Sequence, residues 1–85
     1  MNSYHLDVIT DLKERRNDAE RNYEAARKEW EQERIKVNNL ANAGEYGKDF
    51  EDATTNVRLL FNYMMRLDEE SQAMFECIKA IERAC

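Results

Sequence analysis

The chain has 85 residues and a formal net charge of -5, with two cysteines, one histidine and no proline. This negative charge argues against a protein that binds nucleic acid directly, because such proteins neutralise phosphate with lysine and arginine. It argues equally against docking on an anionic membrane, and no apolar run in the sequence is long enough to cross a bilayer.

The first predicted element is a helix over about residues 4–43, with Ser3 or Asn2 as its N-cap. Its charged side chains recur four residues apart, which is typical of a solvated helix face. Beneath these charges runs a heptad seam with alternating steps of three and four residues. The seam consists of Ile9, Leu12, Arg16, Ala19, Tyr23, Ala26, Trp30, Glu33, Val37 and Leu40.

A turn over residues 44–48 follows, and it contains Gly44 and Gly47, which are the only two glycines of the chain. Glycine readily adopts the left-handed conformation that ends a helix, so Gly44 is predicted to lie just past the end of the first helix. A single break near the middle of the chain predicts two helices of similar length.

The second predicted helix covers about residues 49–84 and begins at Lys48 or Asp49. It has a richer heptad seam than the first helix, formed by Phe50, Ala53, Val57, Leu60, Met64, Leu67, Ser71, Met74, Ile78 and Ile81. Acidic residues near its start and basic residues near its end would compensate the helix dipole.

Two seams joined by a short turn predict an all-α fold, an antiparallel two-helix hairpin that resembles a coiled coil and forms one domain over residues 1–85. Folding the second helix back on the first is expected to place Glu33 near Arg58 and Arg16 near Glu76. Both charged interruptions of the first seam would then meet opposite charges.

The second helix carries more apolar side chains than one partner helix covers. Those off its seam are Leu59, Phe61, Tyr63, Met65, Phe75 and Cys77. A chain this short buries only about 60% of the surface that its unfolded form exposes. We therefore predict a homodimer in which two hairpins pack as a four-helix bundle.

The same surface could also dock a different protein, because methionine and aromatic residues favour adaptable interfaces. The predicted interface residues are Phe61, Tyr63, Met65, Asp68, Glu69 and Phe75.

No residue pattern predicts catalysis, a cofactor or a metal site. His5 is expected near Cys85, but two frayed chain ends provide neither a pocket nor a group that would orient the pair. Cys77 and Cys85 lie too far apart on one helix to form a disulfide, and two unpaired cysteines predict a reducing, cytoplasmic location. No Glu-x-x-His pair occurs among the glutamates.

In size, acidity and lack of catalytic residues, the chain resembles the small regulators that phages and mobile elements encode. The resemblance implies an antirepressor-like inhibitor that binds and blocks another protein, such as a DNA-binding regulator or a defence factor. Two alternatives remain. One is a self-assembling structural coiled-coil protein, and the other is an acidic mimic of nucleic acid, indicated by the run Asp68, Glu69 and Glu70.

Overall fold

A computed structural model describes residues 3–84, and both regular elements among them are α-helices. Helix α1 spans Ser3–Asn42 and helix α2 spans Lys48–Ala84, with 40 and 37 residues respectively. The described residues contain no strand. The predicted all-α hairpin is therefore confirmed, and its predicted dimerisation stays a prediction.

The turn between the helices is closed by Gly44, whose φ of 72° lies in the left-handed region. The Glu45 N–H donates to the Leu40 carbonyl at 2.9 Å, and the Gly44 N–H donates to the Ala41 carbonyl at 3.0 Å. These two bonds form a Schellman motif, which satisfies carbonyls that the end of α1 would otherwise leave unpaired. Gly44 therefore has the role that the sequence predicted for it.

Helix α2 begins at Lys48, one of the two predicted starting residues, and Gly47 acts as its N-cap. The Gly47 carbonyl accepts the first intrahelical bond, from the Glu51 N–H at 3.1 Å. Helix α1 already includes Ser3, which therefore lies within the helix and does not cap it from outside. Asn2, the other predicted cap, lies outside the described residues.

The described residues form two compact units, and both helices contribute to each. The terminal unit comprises residues 3–23 and 66–84, and the turn unit comprises Glu24–Met65. Within the terminal unit, Arg16 stacks on Phe75, and Ala19 further along α1 shares a groove with the earlier α2 residue Leu67. The helical segments of this unit are therefore antiparallel.

Each unit has a small buried core drawn from the predicted seams. The terminal unit buries Ile9, Ala19, Leu67 and Ile78. The turn unit buries Ala26, Ala53 and Met64. All the other seam residues are half-buried. The heptad pattern therefore identifies the face along which α1 and α2 pack in each unit.

The charged surface of α1 carries ion pairs between side chains three or four residues apart. In the terminal unit, Arg15 Nε lies 3.1 Å from Asp11 Oδ2, and Arg21 contacts Asp18. In the turn unit, Arg27 Nη1 lies 3.7 Å from Glu24 Oε2. Because these pairs are exposed, each contributes only a few tenths of a kcal/mol and they do not determine the fold.

Candidate protein-interaction surface

In the turn unit, large apolar side chains remain exposed along one segment of α2, residues 59–65. The exposed fractions are 56% for Leu59, 47% for Phe61, 36% for Tyr63 and 37% for Met65. Successive helical residues are rotated by about 100°, so residues four apart share a side and residues two apart do not. Phe61 and Met65 therefore lie on one side of the α2 seam, and Leu59 and Tyr63 lie on the other.

The side of the turn unit that carries Tyr63, called here the Tyr63 flank, has an acidic groove. Its lining residues come from both helices and are Glu29, Gln32, Glu33, Asn56, Leu59 and Leu60. Asp52 lies four residues before Asn56 and so follows the same side of α2. On this side, helical spacing places Lys36, seven residues after Glu29, and Lys48, four residues before Asp52, beside the carboxylates of Glu29, Glu33 and Asp52. The Tyr63 flank therefore combines exposed apolar groups with an acidic groove and nearby cations.

The expected pairing of Glu33 with Arg58 is wrong. Glu33 Oε2 is buried in the turn unit and has no hydrogen-bond partner. Glu33 lines the groove of the Tyr63 flank, whereas Arg58 precedes Phe61 by three residues and lies on the opposite side of α2. The two residues occupy the same level of the hairpin but face different sides of it.

The opposite side of the turn unit, called the Phe61 flank, carries arginines. The Arg34 guanidinium stacks on the half-buried Trp30 ring, 5.0 Å from its centroid. Arg27 lies seven residues before Arg34, which places both on the side of the α1 seam away from Glu29. Arg58 lies one helical turn before Phe61 on α2. The Phe61 flank therefore combines exposed apolar groups with charges of both signs, because Glu24 pairs with Arg27, Glu31 lies four residues after Arg27, and Glu51 lies seven residues before Arg58.

Three of the predicted interface residues, Asp68, Glu69 and Phe75, belong to the terminal unit. Asp68 and Glu69 are exposed. Phe75 is only half-buried, but its ring is covered by two cations, Arg16 at 4.5 Å and Lys79 at 4.7 Å from the centroid. These cations would have to move before a partner could contact the ring, so its role as an interface residue stays a prediction.

Arg16 lies beside the residue before Glu76, as the predicted register requires, but its ion pair is with Glu20 of its own helix. Its guanidinium stacks on Phe75, and its Nε lies 3.3 Å from Glu20 Oε1. That Nε is buried and makes no hydrogen bond, so the contact with Glu20 is an ion pair whose N–H group does not point at the oxygen. A charged interruption of the seam is thus accommodated by its own helix and by an aromatic ring.

The sequence analysis counted Leu59 among the off-seam apolar residues but left it out of the predicted interface residues. It is the most exposed of the four apolar side chains of residues 59–65. Its spacing of four residues from Tyr63 was the signal that could have identified it, because that spacing places both on one side of α2. The structure thus brings together Phe61 with Met65 and Leu59 with Tyr63, and it separates Phe61 from Tyr63.

Other exposed groups are isolated or locally bound. Ile35, which is 55% exposed, lies on the side of α1 away from its seam. The Tyr46 hydroxyl donates to the Ala41 carbonyl at 3.2 Å, and the Tyr46 ring packs edge-on against Phe50 at 5.0 Å. Cys77 is exposed and unpaired. Cys85, which was expected near His5, lies outside the described residues.

Residues 3–84 contain no group of three or more His, Cys, Asp or Glu side chains that could hold a metal ion. Among the same residues, neither helix combines the length and the apolar character needed to cross a membrane. No protein-family model, curated protein or solved structure matches the chain.

Proposed function

We propose that this chain is a protein-interaction module that acts by docking and has no catalytic activity. The observation that carries the proposal is the exposure of four large apolar side chains within residues 59–65 of α2. Apolar patches on a protein surface mark interaction sites when they are contiguous and rimmed by polar groups. Each flank of the turn unit has this composition.

The size of the apolar surface indicates what kind of partner the flanks need. Fully burying a Leu, Phe or Met side chain contributes about 1.5–3 kcal/mol, so each of these partly exposed side chains adds on the order of 1 kcal/mol on docking. Association itself costs about 4–15 kcal/mol in lost translational and rotational freedom. Apolar contact alone is too weak to hold a complex, and a partner must also match the charges around it.

The narrower role implied by the resemblance to small phage regulators stays a prediction. An antirepressor-like inhibitor would occupy the functional surface of a DNA-binding regulator or a defence factor with one of these flanks. The small size of the chain and its net charge of -5 are compatible with that role. The acidic alternative, mimicry of nucleic acid, rests on the exposed Asp68, Glu69 and Glu70.

A pull-down with tagged protein tests the proposal. The bait is incubated with an untagged copy of the chain and nuclease-treated lysate of the native host, and the bound proteins are identified by mass spectrometry. The wild-type bait should retain a stoichiometric partner, either the untagged copy or a different protein. The variant carrying Phe61→Glu and Met65→Glu should retain at least tenfold less of it, because two charges replace the apolar contact.

The matched control is Ile35→Glu, which places a charge at an apolar position that is 55% exposed, on the side of α1 away from its seam. This control should bind as the wild type does, and circular dichroism should show equal helicity for all three proteins. Retention of the partner by the Phe61→Glu, Met65→Glu variant would contradict the proposal.

A further inference from the structure

We draw no further inference here: the strongest candidate, the exposed apolar surface of α2 residues 59–65 in the turn unit, is bordered by charges of both signs on each flank, and nothing in the structure shows what covers it.

Discussion

The terminal unit and the turn unit share one heptad pattern, but they differ in the apolar side chains that lie beside the seam of α2. In the terminal unit, Phe75 lies beneath Arg16 and Lys79. In the turn unit, Arg34 covers Trp30, whereas the four apolar side chains of residues 59–65 remain exposed. The same kind of seam is thus accompanied by a covered aromatic ring in one unit and by open flanks in the other.

Part of the difference lies at one position of α2, the residue one helical turn after the aromatic ring. The residue one helical turn after Phe75 is Lys79, whose ammonium reaches over the ring. The residue one helical turn after Phe61 is Met65, which adds apolar surface. A long cationic side chain at this spacing can cover an aromatic ring, whereas a methionine extends the exposed apolar surface.

The largest expected loss of stability comes from substitutions in the buried core, which each unit has. Ile78→Ala in the terminal unit and Met64→Ala in the turn unit should each lower the free energy of unfolding by about 2–4 kcal/mol, because each leaves a cavity. Urea denaturation at one fixed protein concentration measures the loss, since association adds to apparent stability. The control Ile35→Ala, at an exposed site, should stay within about 0.5 kcal/mol of the wild type. A loss below about 1 kcal/mol at either site would contradict the packing assigned to that core residue.

A smaller difference in the free energy of unfolding is expected between variants of Phe75, whose ring is covered, and Phe61, whose ring is exposed. Phe75→Leu removes two cation–π contacts, each contributing about 0.5–1 kcal/mol, so unfolding should become easier by about 1–2 kcal/mol. Phe61→Leu, at a ring that is nearly half exposed, should change the free energy of unfolding by less than about 0.5 kcal/mol. Thermal and urea denaturation of both variants would check this, and equal losses would remove the distinction between the two units.

The smallest effect concerns the turn, which belongs to the turn unit alone. Gly44→Ala should destabilise the protein by about 1 kcal/mol, because a residue with a Cβ resists the left-handed conformation even though the added atom meets nothing within 4 Å. Gly47→Ser is the matched change three residues later, where serine suits the N-cap and space is open. It should be neutral or slightly stabilising in the same urea assay, and a loss equal to that of Gly44→Ala would contradict the different roles assigned to the two glycines.

Most of the fold could be predicted from the sequence because the period of apolar residues specifies a helix face directly. Every predicted seam position, from Ile9 to Ile81, is buried or half-buried. Gly44 could be placed because the chain offers only two glycines and no proline to end a helix. The observed helix ends lie within one residue of the predicted ones.

The candidate surface was less predictable. An excess of apolar residues on α2 was evident, but grouping Phe61 with Tyr63 ignored the rotation of about 200° between residues two apart. The cover over Phe75 depends on the rotamers of Arg16 and Lys79, which residue spacing does not determine. The pairing of Glu33 with Arg58 failed because a register gives the level of a residue along the hairpin and not the side it faces.

The buried alanines reduce the side-chain entropy that is lost when the protein folds. Ala19, Ala26 and Ala53 are buried, and Ala53 is only 1% exposed. An alanine side chain loses no rotamer entropy when it is buried, whereas ordering a leucine or a methionine costs about 0.5–2 kcal/mol. The buried core therefore consists partly of side chains that lose no rotamer entropy when the protein folds. Leu59 and Met65 are partly exposed, so in the proposed docking they would lose rotamer freedom that folding leaves to them.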